Sequence, residues 1–536
     1  MNMPTTRHRL AAIAFLGATT LFPAACSEGL TEVPAAILVA DNLYGDLAGF
    51  EAGLNGLYYN VRRERFGRNN DNNAIMNTTM TGGVDNAFGM YLAPETENII
   101  HFWGVFNTPL DNQLRTVWAW LYQTINAANT IVDRAENPGI RWTDSDKSRV
   151  LAEARLIRAW AYRHLTYMWG DVPLSLKETT EAKTDWDRTP RAEVRKQMEQ
   201  DLLFAEANLP ATSANPGKLV KAVAQHYLAE LYLAMGEPAK AEAAAEAVTS
   251  SGLYKLVTAR YGVDAGREGE PFLDQFRDGN VNRNQGNTEV LWALQIQQNV
   301  VGGGGNIMRR TWVTRYNNEP GIAIAHEYGG RGIGRLGITR AAINLYEPTD
   351  DRGLKFAIRR FYIINGTPPA GKKLGDTIFT STGPNPTSDT QRRIWPSTKK
   401  WDWTDPTNPL LDPQYGDQPY LRLAETYLLL AEAKLAVGKT AEAAAAINVV
   451  RVRSDATPIT AAQVTLAFIL DERSRELVAE EHRRYTLLRT GTWLSRTKAM
   501  NTLAGPFIAA RDTLFPIPQS VIDANSGKVM PQNPGF

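Results

Sequence analysis

The 536-residue chain has one cysteine, Cys26, so an intramolecular disulfide and a Cys-rich structural zinc site are both excluded. Histidine is scarce as well. The six stand at 8, 101, 164, 226, 326 and 482, and with none four residues from another the HExxH zinc motif cannot form. Excess charge of either sign is missing: 58 basic against 57 acidic residues leaves +1, which removes the strong basic field that nonspecific nucleic-acid binding requires. No nucleic-acid partner is expected. Beyond residue 22 no stretch approaches the roughly 20 apolar residues of a membrane-spanning helix. Nucleotide and nucleophile signatures are also wanting. Gly366 to Lys373 resembles a phosphate loop, but Lys373 stands where magnesium needs Ser or Thr, and Pro368 and Pro369 remove N–H donors, so a surface turn is expected. Gly302 to Gly305 opens no βαβ unit, and no GxSxG elbow occurs. Asp278, Asn280, Asn282 and Glu289 are spaced like calcium-loop oxygens, yet Arg283 occupies the sharp-turn position that needs Gly. No cofactor and no metal is expected.

What the chain does have begins at its start. Arg7, His8 and Arg9 precede the apolar run Leu10 to Phe22, and Ala24-Ala25 supply small residues just before Cys26. This is an export signal. Its small-small-Cys end resembles the bacterial lipoprotein signal, with Cys26 as the lipidated N-terminus, although Pro23 stands where Leu is usual. The alternative is ordinary secretory cleavage near Ala25. Loss of residues 1–25 removes Arg7 and Arg9 and takes the net charge from +1 to −1. Residues 26–45 read as a tether.

The 536-residue chain, 43% hydrophobic and 21% charged, is apolar enough to build a large core. It matches itself at an offset of 202 residues: Leu228-Ala229-Glu230, Leu233-Ala234 and Gly236 align with Leu430-Ala431-Glu432, Leu435-Ala436 and Gly438. In each copy an amphipathic Leu/Ala helix stops at a Gly and an Ala-rich helix follows, the pattern of tetratricopeptide-type hairpins. Residues 250–415 are rich in Gly, Asn, Pro and Trp, with a strand-like run at 289–294. The expected fold is mainly α: one domain over 46–536, with a helical-hairpin scaffold at 46–249 and 416–490, a long loop-rich insertion containing short strands at 250–415, and a terminal segment at 491–536. Insertions of this kind usually carry the binding surface.

Several segments carry a wider resemblance. They are Ala152 to Tyr162 followed by Trp169-Gly170-Asp171-Val172-Pro173-Leu174, then Asn287 to Trp292, then Tyr420 to Glu425 with Leu430 to Ala433. Glu472-Arg473, Glu476-Leu477, Glu480 and Arg483 to Arg489 follow, and Leu514 to Pro518 and Gln532 to Phe536 close the chain. In their order and number these blocks resemble the SusD/RagB family of bacterial outer-membrane lipoproteins, except that Thr486 stands where the family usually has Asp and Arg484 where it has an aromatic. The resemblance implies a non-catalytic, lipid-anchored protein of the cell outer membrane, facing the exterior. It would bind oligosaccharides, or peptides in some branches, and deliver them to a SusC-like TonB-dependent transporter. The charged residues of these blocks, Arg155, Arg158, Arg422, Glu425, Glu472, Arg473 and Glu476 among them, read as scaffold ion pairs.

Sugar capture without chemistry needs flat rings for pyranose faces and amide or guanidinium groups for hydroxyls. Two loop regions have that composition. Asn69 to Asn73, Asp85, Asn86, Tyr91 and Trp103 make one; Arg309, Trp312, Tyr316 and Asn317 make the other. Trp312 and Tyr316, four apart, would share one side of a helical turn as a stacking shelf. The alternative is that Trp103 and Trp312 plug the scaffold's edge. A different reading, a surface-tethered glycoside hydrolase, would draw its two carboxylates from residues such as Asp85 and Glu327, roughly 5 to 10 Å apart across a cleft.

Overall fold

The computed structural model describes residues 43–66, 76–90, 107–411 and 413–536. Helices of seven residues or more are numbered α1 (Leu47–Arg62), α2 (Asn112–Arg134), α3 (Asp144–Met168), α4 (Arg191–Asn208), α5 (Lys221–Met235), α6 (Pro238–Thr249), α7 (Leu423–Ala436), α8 (Thr440–Arg453), α9 (Leu466–Leu477), α10 (Arg483–Arg489) and α11 (Trp493–Met500). From α2 to α8 each helix packs on the next, α6 packs directly on α7 although the whole insertion separates them, and α9 packs mainly on α7. The two repeat copies are therefore adjacent hairpins. Lys221 and Leu423, at the repeat's own offset, open α5 and α7, and Gly236 and Gly438 close them with φ of 77° and 81°, a left-handed conformation that glycine adopts without strain. Ala241 and Ala245 of α6 and Ala431 and Ala433 of α7 are fully buried. No described helix is long and apolar enough to cross a membrane.

The start signals are local. Asp46, Asp111 and Thr143 accept backbone N–H groups at the first turns of α1, α2 and α3, satisfying donors that have no partner within the helix. The aromatic residues of these helices fill the core as their periodicity predicts: Trp118, Trp120, Trp160 and Trp169 are all buried, with Trp120 edge-on to Trp160 at 5.5 Å.

Strands are short and paired in twos. β1 (Ala87–Gly89) pairs antiparallel with β3 (Leu336–Ile338), β2 (Val290–Leu294) with β8 (Gln418–Arg422), β4 (Ile358–Arg359) with β7 (Ser397–Thr398), and β5 (Phe361–Ile363) with β6 (Thr377–Phe379). The β2–β8 pair ties the interior of the loop-rich stretch to the strand that leads directly into α7.

A buried ionic network locks this junction. Arg422 reaches Glu289 at 2.5 Å and Glu476 at 3.0 Å, Arg453 reaches Glu289 at 2.8 Å and Glu476 at 2.5 Å, and Arg352 reaches Glu472 at 2.7 Å and Glu476 at 3.1 Å. Most charged residues of the family-like blocks are thus paired, many of them across elements, but Arg155 makes no ion pair among the described residues and lies 4.1 Å over the Phe204 ring. Arg158 meets Asp201 of α4 and Glu425 meets Arg473 of α9, neither of which stands on the same helix. Glu153 pairs instead with Arg149 at 2.6 Å.

Candidate functional site

The Gly302–Gly305 run forms a tight loop between β2 and the short helix Met308–Trp312, and it is pressed against the end of α1. Ile307 N–H donates to Arg65 O at 3.1 Å, and Arg62 Nη2 donates to Gly302 O at 2.5 Å. A side chain at Gly303 would run into the Gln297 carbonyl, and Gly304 sits at φ 76° against the Phe66 ring, so this tight path suits only glycine.

On one flank of the loop lies a cleft of about 540 Å³. Asn55 and Arg62 come from α1, Asn215 from the α4–α5 loop, Trp292 and Gln297 from β2 and its continuation, and Asp417 from the approach to β8. The amides of Asn55, Asn215 and Gln297 are exposed and make no side-chain hydrogen bond among the described residues. Burial pushes the Arg62 guanidinium below its usual range, against the pull of Tyr59 and Asp417, and its Nε is buried without a partner. Burial likewise raises the Asp417 carboxyl, which accepts from Ile296 N at 2.8 Å and Asn282 Nδ2 at 2.7 Å. The cleft therefore offers free amide donors and acceptors and one partly satisfied guanidinium, beside a floor fixed by Trp292, whose Nε1 donates to Gly217 O at 3.0 Å.

The other flank carries two half-exposed rings. Tyr415 lies under Gly305, and Trp403 lies against Gly416. These were not singled out by composition. The signal was present in the Trp401/Trp403 pair of the proline-rich stretch 401–413, but Trp401 is buried and Trp403 is not, a distinction set by what packs around each.

The Trp312–Tyr316 shelf does not exist as an exposed surface. Trp312 is 1% exposed and Tyr316 0%, and the helix ends at Trp312, with Val313 extended at ψ 127°, so the two rings do not share a helical turn. Tyr316 belongs to a small apolar cluster, stacked on Tyr362 at 5.1 Å with its hydroxyl donating to Gly330 O at 2.6 Å. Arg309 is buried beside it, donating to Leu411 O, while Asn317 is half-buried and bonded to Asn318 at 3.1 Å. Asp85 and Asn86 are also interior: Asp85 is gripped by Arg483 and Arg496, and Asn86 O accepts from Thr339 N at 3.0 Å beside β1 and β3. Tyr91, Trp103, Asn69 to Asn73 and Cys26 lie outside the described residues.

The carboxylates named for a hydrolase do not converge. Asp85 is buried in two ion pairs, while Glu327 lines a separate cavity near Glu270 and Lys399. The calcium-like set is likewise spent on structure: Asn280 donates to Asp274 O and Glu289 pairs with Arg422 and Arg453. Gly366 to Lys373 is a turn region with most of its residues exposed.

Comparison with known proteins matches two parts of the chain to family profiles. Residues 288–536 match one described as "SusD family", and residues 49–233 match one described as "Starch-binding associating with outer membrane". The "SusD-like protein P2" of Formosa agariphila is 24% identical over 553 residues, spanning 95% of this chain and 97% of that protein. Among solved structures, a "Laminarin binding SusD-like protein" superposes with a TM-score of 0.68 at 22% identity, covering 91% of this chain and 99% of that one. "Surface glycan-binding protein A" from Bacteroides fluxus gives 0.69 at 18% identity, over 91% and 99%. The helical-hairpin scaffold, its insertion and these matches together place the chain in the SusD family.

Proposed function

We propose that this protein captures oligosaccharides at the Gly302–Gly305 loop, without transforming them, and passes them to a SusC-like TonB-dependent transporter of the outer membrane, to which Cys26 tethers it by lipid. The observation that carries the reading is the pairing of two kinds of surface around one rigid loop. The unengaged amides of Asn55, Asn215 and Gln297 with Arg62 suit sugar hydroxyls, and the half-exposed Trp403 and Tyr415 suit the apolar faces of pyranose rings. Glycan ligands named for relatives, laminarin in one case and starch in another, fit such a surface.

Capture here needs no moving proton. A rigid amide and guanidinium set replaces water around the ligand's hydroxyls, and ring stacking supplies apolar contact area, so affinity rests on preorganisation. Calorimetry on the full mature chain with laminarin and starch oligosaccharides tests it. Trp403→Ala and Gln297→Ala are each expected to weaken binding roughly tenfold, about 1.4 kcal/mol, with the fold unchanged. Unaltered affinity in both variants would remove the ligand from this loop.

A further inference from the structure

A second cavity of about 490 Å³ lies away from the glycan cleft and shares no lining residue with it. Its walls come from the 260–277 loop, residues 326–327, Phe356 and the 399–402 turn. Most of its charged groups are already spent: Arg260 on Asp274 at 2.6 Å, Arg267 on Asp264 at 3.3 Å, and Asp402 on Arg359. Two are not. Glu270 is only 8% exposed, its Oε2 is buried without a partner, and its carboxyl makes no hydrogen bond or ion pair among the described residues. Lys399, on the facing turn, holds its ammonium 6.0 Å over the Phe356 ring and also makes no ion pair among the described residues.

A buried carboxyl with an unpartnered oxygen, facing the same cavity as a half-buried ammonium without meeting it, is costly to maintain unless a ligand completes it. The surrounding charges are mixed: Asp351 and Asp350 near Glu270 favour a cation there against Lys399 and Arg260, and Arg359 and Arg277 near Lys399 favour an anion there against Asp402 and Glu270. We infer that this cavity binds a small zwitterion, its ammonium seated on the Glu270 carboxylate and its carboxylate on the Lys399 ammonium. The inference stands apart from the glycan reading, since neither site needs the other.

The titration of the two groups supports the geometry. Burial first and then Asp351 and Asp350, opposed by Lys399 and Arg260, push the Glu270 carboxyl up to about 8. Burial, with Arg359 and Arg277, opposed by Asp402 and Glu270, pushes Lys399 down to about 8. At neutral pH Glu270 is mostly protonated, so seating an ammonium there must expel its proton. Binding should accordingly release protons at pH 7 and weaken on either side of about pH 8, as Glu270 gains a proton below and Lys399 loses one above.

Isothermal titration of the full mature chain with glycylglycine is the direct test, with N-acetylglycylglycine and glycylglycine amide as probes that each lack one charge. Glycylglycine is expected to bind, and each single-charge probe at least tenfold more weakly. Glu270→Gln should abolish proton release, measured in buffers of different ionisation enthalpy, and Lys399→Met should weaken glycylglycine at least tenfold. No heat with glycylglycine up to millimolar concentration overturns the inference, as does equal binding of all three probes. Because the three probes are compared on the unmodified protein, a variant that fails to fold leaves the test standing.

Discussion

Arg483 of α10 grips both carboxylate oxygens of Asp85, 398 residues earlier in the chain, at 2.7 and 2.8 Å, with both side chains buried. Burial works to raise the Asp85 carboxyl, but Arg483 and then Arg496 outweigh it and hold it below the usual carboxylate range. An acid so held favours its ionised form, which suits a clamp between β1 and the C-terminal helices and does not suit a proton donor.

Asp85→Asn should therefore cost about 3–5 kcal/mol, because it removes the charge partner that Arg483 and Arg496 share and leaves Arg483 with Glu481 alone. Denaturant titration of the variant measures this directly. A loss under 1 kcal/mol would mean that Glu481 and the Leu470 carbonyl alone satisfy Arg483.

Trp312→Ala should cost about 3–5 kcal/mol through the cavity it leaves, whereas a surface shelf would have left folding untouched. Thermal melting separates the two outcomes. Any weakening of glycan binding in this variant should track its loss of fold.

Ala245→Leu should cost about 1–3 kcal/mol, since Ala245 on α6 is fully buried and three more carbons would have to displace its packed neighbours. Ala234 is only partly buried, so a larger residue there should be tolerated better. Comparing the two melting temperatures tests where the repeat is tightly packed.

Acid should unfold the protein through its buried carboxylates. Burial tends to raise Glu425, but Arg473, His226 and Arg163 hold it down at about 2, against 4.5 when free. A depressed folded-state value contributes stability that is complete above about 4.5 and lost as pH falls toward 2, about 3 kcal/mol for this group. Glu425→Gln should flatten that part of the stability profile between pH 5 and 2, as followed by urea midpoints.

Cys26→Ala should release the protein from membrane fractions in a strain lacking the transporter. Continued membrane association of that variant would show that something other than lipid holds it, and firm anchoring would need a second acyl chain or signal besides one acyl group.

Much of the scaffold was legible before any coordinates. Leu/Ala periodicity with a stopping Gly, repeated at an offset of 202 residues, dictates two hairpins because helix geometry and the left-handed cap are local properties, fixed within a few residues. The buried tryptophans of α2 and α3 followed from the same periodicity.

The partners of the charges, and the faces of the loop aromatics, belonged to the tertiary structure. Arg158 had Glu153 near it in sequence but met Asp201 on another helix, since side-chain reach within one helix is outcompeted by a bidentate partner across a packed interface. Arg484, standing where an aromatic is usual in the family, lies 4.5 Å over both Trp493 and Phe515, a position no local pattern specifies. In the insertion, where periodicity is lacking, burial depends on contacts between residues tens to hundreds of positions apart. Trp312 and Tyr316 turned inward onto such contacts, and Trp403 and Tyr415 were left half-exposed beside the Gly302–Gly305 loop.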